Sequence, residues 1–103
     1  MIVVSVSYPN DPSTRFDLDY YMQTHIPLVR ERWSAMGLRE LRVLRGLGTP
    51  DGGAAPVRLM ALLTWDNAEA LERAVAAHGQ EIFGDIARFT DARPVMQVNA
   101  PEG

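Results

Sequence analysis

The order of apolar and breaker-rich segments predicts an α+β fold, a ferredoxin-like β-α-β-β-α-β domain with a four-stranded antiparallel sheet. Three observations carry that expectation. Apolar residues alternate in parity at 2–8, 38–48 and 57–65, as strands require. Two stretches with helical periodicity separate the first strand from the second and the third from the last. The 103 residues suffice for a single domain, 1–103, with no linker, repeat or low-complexity run.

Each element has its own local reason. "IVVSVSY" (2–8) is β-branched, with Ile2, Val4, Val6 and Tyr8 on one parity. "PNDPST" (9–14) is loop. Asp17 is placed to cap a helix, Asp19 suits the positive end of its dipole, and Phe16 and Tyr21 have the spacing of a hydrophobic staple. Leu18, Tyr21, Met22, His25, Leu28, Val29, Trp33 and Met36 then form one helical stripe, which Gly37 ends. "LRELRVLRGLG" (38–48) reads as a strand, "TPDGGAAP" (49–56) as a turn, and "VRLMALLTW" (57–65) as a third strand. In the third strand Leu59, Ala61, Leu63 and Trp65 share one face and Met60, Leu62 and Thr64 the other. Residues 66–79 read as a second helix, with Asp66 and Glu69 resembling a capping box and Gly79 as its stop. Residues 80–89 read as a separate short helix weakened by Gly84, and 94–99 as the last strand.

Composition narrows the function classes. The formal net charge is -3 and the arginines are scattered, which argues against a nucleic-acid partner. Without cysteine there is neither a disulfide nor a thiolate metal site, and the two histidines, His25 and His78, lack ligand spacing. "GTPDGG" lacks the Lys-Ser/Thr of a phosphate-binding loop. No cofactor and no metal are expected. The apolar start, "MIVVSVSY", lacks a basic segment and enough length for a signal peptide, and no run has membrane-spanning length, so the expected location is cytoplasmic and no membrane partner is expected. A sheet with both helices on one face leaves the other bare over an area on the order of 300 Å². Neither parity of strands one and three is polar enough to face water. A homodimer joined sheet to sheet is the expected cover.

"YYMQTHIPLV" and "FGDIARFTDARPVMQV" resemble the EthD family. The first carries Tyr-x-x-x-His-x-Pro at Tyr21, His25 and Pro27; the second places Gly84, Asp85, Phe89, Thr90 and Asp91. The resemblance covers nearly the whole chain. It implies a dimeric α+β barrel, in which two ferredoxin-like sheets face each other with helices outside. Relatives in the wider superfamily include lactone isomerases, polyketide cyclases, quinol-forming monooxygenases and haem enzymes, so the fold does not dictate one reaction.

His25 follows Tyr21 by one helical turn, and an imidazole beside a phenol suits proton removal next to a carbonyl. The plain alternative is a histidine hydrogen-bonded within the core. Asp85 is the candidate to orient His25 or to face a substrate, against capping or solvent exposure. His78 reads as a helix-end cation. Tyr8, Met22, Trp65 and Phe89 are the candidate walls of a pocket between sheet and helices; for Tyr8 and Trp65 core packing is the first explanation and pocket wall the second. Pro27 removes a helix hydrogen bond and biases Ile26 away from helical geometry, which predicts a kink beside His25. These readings predict a protein that holds a small, partly apolar carbonyl compound. It would act as a cofactor-independent isomerase, cyclase or lyase with His25 as base. The alternatives are a non-catalytic binding or accessory protein and a cofactor-free monooxygenase.

Overall fold

A computed structural model describes all 103 residues. The elements run β1 (Ile2–Pro9), α1 (Leu18–Tyr20), a π-helical turn (Tyr21–His25), α2 (Ile26–Trp33), a 3-10 turn (Ser34–Met36), β2 (Leu38–Arg45), β3 (Val57–Trp65), α3 (Ala68–Phe89) and β4 (Val95–Asn99). The strands form one antiparallel sheet in the order β2-β3-β1-β4, the arrangement expected of a ferredoxin-like chain. No helix is long and apolar enough to cross a membrane.

Register decides which face the helices cover. Val4 pairs with Leu63, Val6 with Ala61 and Tyr8 with Leu59, while Leu41 pairs with Leu63 and Val43 with Ala61. Partners directly opposite share a face, so these side chains form one apolar layer under the helices. The opposite face carries Ser5, Ser7, Met60, Leu62 and Thr64, with Leu44 exposed on the neighbouring strand. β2 keeps its pattern despite an irregularity between Leu38 and Glu40, which turns Leu38 and Leu41 toward the core together.

The first helical segment starts as its sequence dictates. Asp17 caps it by accepting from the Tyr20 backbone N–H at 3.0 Å. Beyond Tyr20 the helix widens. The Ile26 N–H reaches the Tyr21 carbonyl, five residues back, and Pro27 follows at once. Pro27 has no N–H for the Gln23 carbonyl and its ring crowds that carbonyl in a regular turn, so one wide turn relieves both faults. The predicted kink is therefore a local widening, and Ile26 keeps helical geometry (φ -63, ψ -44) in place of the extended shape expected before proline.

The extra residue in that turn also rotates the buried stripe. The residues turned inward are Tyr21, His25, Ile26, Val29 and Trp33. Leu18 and Met22, expected on the stripe, are exposed. A period of 3.6 cannot foresee this shift, because it assumes no inserted residue.

Helix α3 corrects two further expectations. It runs unbroken through Gly79, so the separate helices at 66–79 and 80–89 are one. Glycine costs a helix interior about 1 kcal/mol relative to alanine. The buried stripe Ala70, Ala74, Ile82 and Phe89 outweighs it, and a Cβ at Gly79 would crowd Val75 and the Phe83 ring at 3.0 and 3.3 Å. The cap is Asn67, which accepts from the Ala70 N–H at 2.8 Å; Asp66 instead binds Arg39. His78 thus lies within the helix, not in its last turn. Gly37 does end the first helical segment, at φ 102.

Candidate functional site

The end of the helical layer nearest β1 is built from rings. Tyr8, Phe16, Tyr21 and Phe89 contact one another with centroids 5.0–6.0 Å apart, mostly edge to face. The Phe-Thr-Asp run holds this cluster shut. Thr90 is buried, its hydroxyl donates to the Arg15 carbonyl, and Asp91 accepts from the Arg15 N–H at 2.8 Å. The Asp17 N–H donates to the Phe89 carbonyl at 2.7 Å. Thr90 and Asp91 therefore fasten the loop before α1 to the end of α3.

His25 sits within this frame. Its ring stacks on Tyr21 at 5.6 Å and tilts against Phe89 at 4.7 Å. Its Nδ1 lies 2.9 Å from Oδ2 of Asp85, and the two side chains are only 6% and 11% exposed. The other Asp85 oxygen accepts from the Tyr20 phenol at 2.7 Å. Arg88, one turn on, stands 3.8 Å from that same oxygen and is exposed. The sequence pointed to His25, Tyr21 and Asp85, and the fold brings all three together.

Electrostatics fixes the form of the imidazole. Burial lowers its pKa from the ordinary 6.5, and the hydrogen bond and charge of Asp85 oppose this only in part. At neutral pH His25 is uncharged. Its Nδ1–H donates to the carboxylate, which leaves the lone pair on Nε2. Burial also raises the Tyr21 and Tyr8 phenols far above their ordinary 10, Tyr8 further through its neighbour Tyr21, so both keep their protons. The Asp85 hydrogen bond likewise raises the Tyr20 phenol.

A cavity of about 40 Å³ lies between helices and sheet, and His25, Tyr8 and Tyr21 line it. Thirteen of its 14 lining residues are hydrophobic, which leaves His25 as the one strongly polar group there. It admits a few waters as it stands, far below the roughly 300 Å³ at which small-molecule sites begin. Phe83, Ile86 and Met96 form part of its wall, and Phe83 and Met96 are 43% and 42% exposed. Those two side chains are its accessible rim.

Of the four expected wall residues, only Tyr8 lines this cavity. Met22 is exposed because the wide turn rotates it outward. Trp65 is fully buried at the other end of the core against Trp33, and Phe89 backs the imidazole without reaching the cavity. No site signal marks Tyr20, Ile26 or Met96 in the sequence, whereas Phe83 falls on the inward face of 80–89 by helical spacing. Ile26 could have been found by allowing one extra residue before Pro27. Tyr20 meets Asp85 across 65 positions of chain, which no spacing rule encodes. No group of histidine, aspartate and glutamate side chains is arranged to hold a metal ion.

No family model matches the chain, and no curated protein matches it in sequence. Solved structures do. An EthD-like protein from Ralstonia eutropha JMP134 is 36% identical over 95% of this chain and 88% of its own, with a TM-score of 0.86. An ethyl tert-butyl ether D (EthD) family protein from Bacillus halodurans C-125 is 22% identical over 99% of both chains, with a TM-score of 0.71. SnoaB from Streptomyces nogalater, a cofactor-independent oxygenase, shares the fold at 12% identity and a TM-score of 0.65, over 99% of this chain and 92% of its own. With more than a third of its residues identical across almost all of both chains, and with the histidine and aspartate of the two motifs in contact, the chain belongs to the EthD family.

Proposed function

We propose that this EthD-family protein binds a small, partly apolar carbonyl compound beside His25 and removes a proton next to that carbonyl, as a cofactor-independent isomerase, cyclase or lyase. The observation that carries the reading is a neutral imidazole on an apolar cavity wall with Nδ1 committed to Asp85. A general base needs a free lone pair and a fixed orientation, and this arrangement supplies both. Asp85 holds the tautomer and stabilises the imidazolium that forms. The protonated phenols of Tyr8 and Tyr21 are the donors available to a developing enolate oxygen. Ligand entry then displaces the exposed rim side chains Phe83 and Met96, since the closed cavity is too small.

The test incubates the protein in deuterated water with a panel of small ketones, lactones and keto acids. Deuterium incorporation beside the carbonyl, lost in His25→Gln, is the expected result. Saturable binding without incorporation or turnover makes the protein a binding module. Oxygen uptake with a quinol makes it an oxygenase.

The same reading includes a homodimer formed through the bare sheet face, supported by Met60, Leu62 and Leu44 on a face that no helix covers. Met60→Glu should dissociate it in sedimentation without unfolding the chain, because Met60 faces away from the core. Leu59→Glu should unfold it, because Leu59 is buried. A wild-type monomer at all concentrations removes the dimer.

A further inference from the structure

We propose that Tyr20 is a positioning residue for His25, acting through Asp85. This rests on the reading of His25 as a base, but its own evidence is geometric. The Asp85 carboxylate stands between a buried partner and an exposed one. Oδ2 meets the His25 Nδ1 at 2.9 Å inside, while Oδ1 lies 3.8 Å from the Arg88 guanidinium at the surface. An arginine one helical turn away competes well for a carboxylate, because its fork can take both oxygens. Bidentate capture by Arg88 would swing the carboxylate outward and free the imidazole to turn or to exchange tautomers.

The Tyr20 phenol prevents that capture. It donates to Oδ1 at 2.7 Å and so occupies the oxygen that Arg88 would need first. Tyr20 is itself held in place. Its ring stacks on Phe89 at 6.4 Å, and its backbone N–H donates to the capping Asp17. The wide turn begins at the next residue, so the helix start, the cap and the base are tied into one unit.

His25 and Asp85 also stand at a boundary. His25 lines the apolar cavity, whereas Asp85, Tyr20 and Arg88 line a separate polar cleft with Glu81 and Gly84. The imidazole therefore meets the cavity on one side, and its orienting carboxylate is set from the other. Tyr20 does not line the cavity. It acts on the base from behind.

The experiment reads the imidazole directly and needs no substrate. Nitrogen-15 NMR of labelled protein at neutral pH gives the His25 tautomer, and solvent exchange gives the lifetime of its ring N–H. The wild type should show the Nδ1–H form. Tyr20→Phe should mix the two tautomers and speed exchange of the ring N–H about tenfold, the scale set by one charge-assisted hydrogen bond. Adding Arg88→Ala to Tyr20→Phe removes the competitor and should restore the Nδ1–H form in large part. Arg88→Ala alone should leave the wild-type signature. A Tyr20→Phe protein with a lower melting temperature but an unchanged tautomer and exchange rate would make Tyr20 a structural residue and overturn the proposal. So would mixing that persists in the double variant, because Arg88 would then not be the competitor. Failure of the deuterium test with these signatures intact would remove the catalytic reading and leave the positioning role standing.

Discussion

The two ends of the helix–sheet interface use aromatic residues differently. At one end Trp65 packs edge-on against Trp33 at 5.3 Å, and the Trp33 indole N–H donates to the Ala74 carbonyl at 2.9 Å. Ala70 and Ala74 are almost wholly buried there, and their small side chains let α3 lie close to the sheet. At the other end Tyr21 and Phe89, backed by Tyr8 and Phe16, hold a histidine, the helix carries an extra residue, and a cavity opens beside His25 and runs as far as Trp33. One end spends its aromatic area on contact. The other uses it as a rigid frame around a group that can exchange a proton. Close packing and a reactive site exclude each other locally, because a filled interface leaves no room for a ligand. This domain holds both by keeping Trp65 clear of the cavity and setting His25 on its wall, with Trp33 between the two.

The strongest way to break that comparison is at the close-packed end. Trp65→Ala should lower the unfolding free energy by about 3–5 kcal/mol, measured by denaturant titration, as large-to-small core changes do. Trp65→Phe should cost less than about 1.5 kcal/mol, since it keeps a ring and removes an indole N–H that has no partner. Equal, small losses for both would mean that this end is not closely packed.

Next in size is His25→Ala. It removes a buried imidazole and leaves the Asp85 carboxylate without its inner partner, so a loss of about 2–4 kcal/mol is expected. The same variant should lose any response to carbonyl ligands, which Trp65→Phe should not do, because Trp65 does not line the cavity. A large drop in melting temperature with an unchanged ligand response would reduce His25 to a core residue.

Gly84→Ala sharpens the comparison from the surface. A Cβ at Gly84 meets nothing within 4 Å, so alanine should stabilise α3 by about 1 kcal/mol through helix propensity. The glycine borders the polar cleft beside Asp85 and Tyr20. Stabilisation in a thermal melt with the His25 tautomer unchanged fits a helix position free of contact. Destabilisation would show that the cleft needs the missing side chain.

The strands and the helical character of both crossovers are legible because each rests on a local signal; that Asp85 meets His25 is only one of the alternatives the sequence leaves open, because 60 positions separate them. β3 was read at 57–65, as observed, because five alternating apolar residues lie between a turn and a cap. The inner and outer sheet faces were not legible. Both parities of β3 are apolar, and only pairing with β1 and β2 selects Leu59, Ala61 and Leu63 for the helices. Met22 was misplaced because helical periodicity assumes an even winding, which the turn before Pro27 breaks. Gly79 was read as a stop because glycine favours helix ends, yet its helix is held by burial on both sides of it. Trp65 follows the first of its two sequence readings, core packing, and not the second, pocket wall, since chain order does not say which end of a strand lies beside a cavity. Tyr20 needed the folded chain, because its partner arrives from α3.

The smallest expected effect is on pH dependence, and it separates the two ends most cleanly. The tryptophan pair has no group that titrates, whereas burial holds the His25 pKa below 6.5 in the fold. In the unfolded chain an exposed histidine titrates near 6.5. Between the folded value and 6.5 the unfolded state therefore binds more protons than the folded one. Stability falls as pH drops through that window, levels off below the folded value, and is insensitive to His25 above about 7. The slope cannot exceed about 1.4 kcal/mol per pH unit for one proton, and Asp85 reduces the whole effect by favouring the imidazolium. Asp11, Asp51 and Glu81 also have lowered values, held down by hydrogen bonds from Ser13, Thr49 and Arg32, so they too cost stability as pH falls, but in the lower carboxylate range. Urea midpoints of the wild type and His25→Gln, measured from pH 5 to 8, isolate the histidine as a difference. That difference should be flat above about 7 and should move against the wild type below about 6.5. Trp65→Phe should keep the wild-type pH profile while shifting it as a whole. If the wild type instead gains on His25→Gln as pH falls, His25 and Asp85 form a stable ion pair in the fold. The imidazole would then be charged near neutrality, and it could not serve as the base.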